Sequence, residues 1–173
     1  QHDPQQQPVS QGVFAAFAAV ESSIGNDLPS DPTVHLPPPP NEPRPVLIMN
    51  CTNSCSRPYW GGTTSEGIYM TPAFQAVSHW TNGNYCAPTY GALTNVVVSS
   101  NISRFNPCTN WPPPSQTLTN LVVAQRWADC AGDSEVIFVT LTDGGHIWPD
   151  ANDNLGFDAN REVLRFFMQH QRP

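Results

Sequence analysis

The sequence predicts an α/β protein, and three observations carry that prediction. Pro45-Val46-Leu47-Ile48-Met49-Asn50 is a short apolar run that ends in turn formers, the pattern of a strand buried on both faces. Glu135-Val136-Ile137-Phe138-Val139-Thr140-Leu141-Thr142 is a second, stronger strand pattern. Helical patterns open at Pro72 and at Asp158, so strands and helices interleave along the chain, the order expected of a sheet flanked by helices. At 173 residues the chain suits one domain and can bury roughly 70% of its unfolded surface.

Taken in order, residues 1–12 are Gln- and Pro-rich and read as a loose arm, with residues 13–173 forming a single domain. Val13–Val20 is continuously apolar, and periodicity does not decide between a strand and a helix piece. Residues 21–45 read as a long loop whose Pro-rich part, 36–45, holds four consecutive prolines and so favours a stiff polyproline spacer. Pro72 suits a first helical position, and the helix is expected to reach Asn82 with Phe74, Val77 and Trp80 inward. Residues 83–118 are loop-rich apart from a strand at Leu93–Ser99, and Val122–Trp127 is another strand. Asp158 is the expected N-cap of a terminal helix through Gln169, with Val163, Leu164, Phe166 and Phe167 facing the core.

Composition narrows the function. Charged residues make up only 12%, all seven basic residues are Arg, and 14 acids leave a net charge of −7. Phosphate neutralisation needs clustered basic side chains, so neither nucleic acid nor an anionic membrane is an expected partner. No apolar run approaches the roughly 18 residues of a membrane span. The five cysteines, at 51, 55, 86, 108 and 130, include no Cys-x-x-Cys pair, and no histidine lies at zinc-site spacing from another. Disulfides, an oxidising compartment and extracellular localisation are therefore expected, with no metal and no cofactor. The first residues, Gln1-His2-Asp3-Pro4, are not a signal sequence; the expectation is a removed leader or a start partway through a larger protein.

In α/β sheets, chemistry gathers in loops beyond the carboxyl ends of strands. The loop after the last strand reads Thr142-Asp143-Gly144-Gly145-His146-Ile147-Trp148-Pro149-Asp150. It presents one histidine on a Gly turn just before a terminal helix, where an α/β-hydrolase places its general base; a surface histidine in a Gly turn is the competing reading.

Here the sequence resembles the polyhydroxybutyrate-depolymerase-like esterases, a group of α/β-hydrolases that includes feruloyl and acetylxylan esterases. Gly144-Gly145-His146-Ile147-Trp148-Pro149 matches their Gly-Gly-His-x-Trp-Pro segment, and Asn160–Phe167 resembles the helix that follows it. Pro45–Ser54, continuing to Pro58-Tyr59-Trp60-Gly61-Gly62, resembles their strand, Gly-Thr-x-Asp turn and Pro-Tyr-x-Gly-Gly stretch. Val13–Val20, Trp80 with Cys86, and Trp127 with Cys130 are lesser matches; Pro38–Glu42 and Asn101–Thr119 are insertions. The resemblance implies the C-terminal portion of an α/β-hydrolase sheet and a carboxylic-ester hydrolase acting on a polyester or a feruloyl or acetyl ester. It also implies His146 as general base, a Cys86–Cys130 disulfide, and Trp148, Tyr59 and Trp60 lining a substrate pocket.

Two departures stand beside those matches. No Gly-x-Ser-x-Gly elbow occurs, and Gly62-Thr63-Thr64-Ser65-Glu66-Gly67 has the wrong spacing for one. Ser54 stands where the family has its catalytic Asp, and neutralising such an acid costs about 10⁴ in rate. Asp143 or Asp150 could serve as a relocated acid, with turn capping as their competing role. The alternatives are a non-catalytic ligand-binding relative, or a half that needs an N-terminal partner or a second copy over an open sheet edge.

Overall fold

The structure, a computed structural model, describes residues 14–26, 38, 41–64, 67–88, 91–96, 122–142, 145–150 and 157–171. The arm at 1–12, most of the Pro-rich loop, Ser65, Asp143, Gly144 and Cys108 lie outside the described residues. The elements in order are β1 (Phe17–Val20), β2 (Gly25–Asn26), β3 (Val46–Cys51), β4 (Gly62–Thr63), β5 (Tyr69–Met70), α1 (Ala73–Gly83), β6 (Gly91–Val96), β7 (Val122–Trp127), β8 (Val136–Leu141) and α2 (Ala159–Gln169). They form a mixed α/β architecture. The main sheet has the order β1-β3-β8-β7-β6, and β2-β5-β4 make a small second sheet.

Of the apolar run before residue 21, Phe17–Val20 is thus a strand. It pairs in parallel with β3, Val20 opposite Met49, and β3 pairs in parallel with β8, Cys51 opposite Leu141. The other half is antiparallel: β7 runs against β8 and β6 against β7. β3 is buried at every position because side chains of both parities meet a core. On one face Leu47, Met49, Cys51, Val139 and Leu141 pack with Phe157, Ala159 and Phe166 of the terminal segment. On the other, Val46, Ile48, Val136 and Phe138 pack with Ala73 and Val77 of α1.

Both helices sit where the sequence put them but turn different residues inward. The buried side of α1 is Ala73, Ala76 and Val77, with Trp80 packed beside them, a true helical seam. Phe74 lies about 100° around the helix from Ala73 and is 55% exposed, contrary to expectation. Helix α2 is capped by Asp158, whose carboxylate accepts the Arg161 N–H at 3.1 Å. It meets the core along Ala159, Val163 and Phe166 only, so Leu164 and Phe167, one step around from that seam, are exposed.

The amino end of the sheet is fastened covalently and by charge. Cys86, after α1, is bonded to Cys130, in the turn between β7 and β8. Glu135, buried just before β8, accepts from Arg126 Nε and faces His170 Nε2 at 2.7 Å, which ties the end of α2 to the sheet. Cys55 is also disulfide-bonded, whereas Cys51 is a buried thiol at the end of β3. The two cysteines of the 51–55 turn therefore do not close it on each other. No helix among the described residues is long and apolar enough to cross a membrane.

Candidate functional site

Because β1, β3 and β8 are parallel, the residues that follow them emerge on one edge of the sheet. Those residues are Glu21, the 52–55 turn and the loop bearing His146. Beyond the strands the two loops continue the β3–β8 register with their own hydrogen bonds. Thr52 N donates to Leu141 O at 2.8 Å and Thr52 Oγ1 to Thr142 O at 2.7 Å. Gly145 N then donates to Asn53 Oδ1 at 2.7 Å. Gly145 has φ +67, a left-handed conformation that glycine adopts without penalty, and this turn delivers His146 to the edge.

His146 Nδ1 lies 3.4 Å from Ser54 Oγ and 3.6 Å from Glu21 Oε2. The histidine side chain is 42% exposed while that of Glu21 is 5% exposed, so one side of the ring meets a buried carboxylate and the rest faces outward. Among the described residues Glu21 brings a carboxylate beside the histidine, and sequence reasoning missed it by assigning residue 21 to a loop. No local pattern marks it, because periodicity leaves the run before it undecided and the parallel pairing of β1 with β3 is a fact of topology. Ser54 does occupy the turn facing the ring, but the carboxylate comes from the neighbouring strand.

Backbone geometry aims Glu21. Its φ is +50, an uncommon conformation for a side-chain-bearing residue, of the kind that persists where surrounding contacts enforce it. Here Glu21 N donates to Met49 O at 2.8 Å, and Glu21 Oε1 accepts the Cys51 N–H. Burial pushes the Glu21 carboxyl above the usual carboxylate range. The Cys51 side-chain and backbone donors, Ser54 and the charge of His146 oppose that shift. Glu21 Oε2 and, nearby in the pairing register, Asn50 Oδ1 are buried without a hydrogen bond among the described residues.

Ser54 is buried and its Oγ accepts the Arg57 N–H at 3.2 Å. It faces the same ring nitrogen of His146, Nδ1, as Glu21 does. The three aromatic residues expected around the site fall into two groups. Tyr59 is half-buried: its hydroxyl meets Thr140 Oγ1 at 3.1 Å and its ring stacks on Phe138 with centroids 6.1 Å apart. Burial raises the Tyr59 phenol, with the Thr140 contact opposing. Trp60 stands edge-on to Tyr59, centroids 4.9 Å apart, and is exposed; Trp148 is exposed too, its Nε1 donating to Asn160 Oδ1 at 3.0 Å. The small sheet secures this region, since Thr71 N, after β5, donates to Ile24 O at 2.8 Å and Ser23 Oγ donates to Thr71 O at 2.7 Å.

Among the described residues no three His, Cys, Asp or Glu side chains are grouped to hold a metal. Comparison of the chain with protein-family models, with curated proteins and with solved structures finds no match.

Proposed function

We propose that this chain carries the general-base part of a carboxylic-ester hydrolase of α/β-hydrolase type, with a polyester or a feruloyl or acetyl ester as substrate class. The observation that carries the reading is His146 Nδ1 held 3.6 Å from the buried Glu21 carboxylate while the ring stands open on the carboxyl edge of the sheet. A carboxylate on Nδ1 selects the tautomer whose Nε2 lone pair accepts a proton. Nε2 takes that proton from an attacking hydroxyl, Glu21 stabilises the imidazolium, and the proton passes to the departing alkoxide. Trp60 and Trp148, exposed on the loops after β3 and β8, offer apolar surface to an acyl or aryl group. The disulfides suit an extracellular setting.

The test is fluorophosphonate labelling of the purified chain, mapped by mass, together with hydrolysis of an aryl ester, each beside His146→Ala. An adduct and turnover that both vanish in the variant support the reading. A folded chain with neither overturns hydrolysis by this chain alone and leaves a ligand-binding role for Trp60 and Trp148.

A further inference from the structure

Three observations converge on Asn53, which stands at the position the Gly-Thr-x-Asp pattern leaves open. First, the backbone of the turn leaves the sheet after Thr52, and Ser54 N bonds back to Cys51 O at 3.4 Å. Side chains then make links across to the His146 loop: Thr52 Oγ1 donates to Thr142 O at 2.7 Å, and Asn53 Oδ1 accepts the Gly145 N–H at 2.7 Å. Second, Gly145 has φ +67, and among the described residues a Cβ there would meet nothing within 4 Å. Glycine visits many conformations at little cost, so a turn without close packing needs a directed bond to hold it. Third, the contacts of the imidazole itself are long, 3.4 Å to Ser54 Oγ and 3.6 Å to Glu21 Oε2, at or past the limit of a useful hydrogen bond. The ring is therefore located by the backbone that precedes it.

We propose that Asn53 is a positioning residue for His146: its side-chain carbonyl stands in for the next rung of the β3–β8 ladder and fixes the left-handed turn at Gly145 that brings the imidazole to Glu21 and Ser54. This rests on the reading of His146 as general base. Beyond the histidine the loop is tied again, by Ala159 N to Pro149 O at 2.9 Å and by Trp148 Nε1 to Asn160 Oδ1 at 3.0 Å. Those ties hold the far end of the loop against α2, whereas the Asn53 bond acts on the residue adjoining His146. The Thr52–Thr142 bond joins the same two loops further from the histidine, which makes it the natural comparison.

The experiment compares Asn53→Ala with Thr52→Val in the full chain. Each variant removes one side-chain hydrogen bond between the same two loops, so a merely structural role gives both the same effect. Proton NMR reads the ring through the cross-peak between His146 Hε1 and the Ser54 β protons, and the turn through exchange of the Gly145 amide. The native chain and Thr52→Val should show the cross-peak. Asn53→Ala should lose it and exchange the Gly145 amide about fivefold faster, the factor for one hydrogen bond of ordinary net strength. Asn53→Asp, which keeps an acceptor oxygen in the same place, should restore both. A folded Asn53→Ala chain with the native cross-peak overturns the proposal, and so does equal loss in Thr52→Val. If the alanine variant does not fold, Asn53→Ser decides the matter in the same way, because its hydroxyl is one bond too short to replace the amide oxygen. The readout needs no turnover. A cross-peak lost and restored in a chain inert towards esters would sink the hydrolase reading and leave this one standing; ester turnover with an unmoved cross-peak would do the reverse.

Discussion

The carboxylate of Glu21 accepts the backbone N–H of Cys51, so a side chain from the end of β1 caps the end of β3. That contact occupies Oε1 and turns Oε2 towards His146. One residue therefore finishes a strand pair and supplies the charge beside the candidate base. The arrangement depends on the parallel pairing of β1 with β3, because only parallel strands bring their last residues to the same edge.

Burial without full compensation makes Glu21 a pH-dependent liability. Its folded-state pKa is raised, chiefly by desolvation. The folded state then binds a proton more tightly than the unfolded chain does, so this residue's contribution to stability is greatest below the ordinary carboxylate range and declines as pH rises through the raised value. Urea midpoints measured from acidic to neutral pH should show that decline, and Glu21→Gln should flatten it. A Glu21→Gln profile parallel to the native one would assign the decline to other groups.

At the opposite end of the sheet, Glu135 is buried between Arg126 Nε and His170 Nε2. The imidazole is mostly covered and packs against Phe166 at a centroid distance of 4.6 Å, whereas Arg126 is about half exposed. His170→Ala should therefore cost about 1–3 kcal/mol by leaving a buried carboxylate oxygen unsatisfied. Arg126→Ala should cost less, since water reaches that side. Chemical denaturation gives the ranking, and hydrogen exchange should rise in the last turn of α2 only for the histidine variant.

Cys86–Cys130 closes a loop of sequence separation 44. On the chain-entropy account, opening such a loop costs about 4 kcal/mol. Nearby bonds from Ala87 N to Asp129 O and from Ala131 N to Asn84 O hold the same junction without the sulfurs. The double Cys86→Ser, Cys130→Ser variant should therefore fold with a lowered thermal midpoint rather than lose the β7–β8 turn. Loss of the native circular dichroism spectrum at low temperature would contradict that expectation.

Much of this fold was legible because strands β3, β7 and β8 and both helices carry strong local patterns. Residues Val122–Trp127 were expected as a strand and form one over those same residues. The antiparallel half and the small β2-β5-β4 sheet were not legible, since pairing direction and two-residue strands leave no periodic trace. The helix faces were misjudged at Phe74, Leu164 and Phe167 because hydrophobicity was equated with burial, while each helix offers the core only a narrow seam. His146 and Ser54 were found in the sequence, but Glu21 was not. Its role depends on which strand lies beside β3, and that is a fact of topology rather than of any local motif.

Two glycines in the site's supporting loops should separate backbone strain from steric crowding. Gly61 has φ +79, and a Cβ there would lie 2.7 Å from Pro72 Cδ and 2.8 Å from Pro72 N at the start of α1. Gly145 has φ +67, and among the described residues a Cβ there would meet nothing within 4 Å. Gly145→Ala should therefore carry only the left-handed backbone penalty, about 1–2 kcal/mol. Gly61→Ala carries the same penalty plus a clash with a rigid ring, and must move either the Tyr59–Gly61 turn or the helix start, where Ala73 N bonds to Tyr59 O at 2.8 Å. The stability order should be native, then Gly145→Ala, then Gly61→Ala. The effect on the candidate base should be reversed, because Gly145 directly precedes His146 while Gly61 supports a loop further off. Stability comes from urea titration and the state of His146 from its ring nitrogens. A Gly145→Ala variant destabilised more than Gly61→Ala would mean that the Pro72 contact is not rigid.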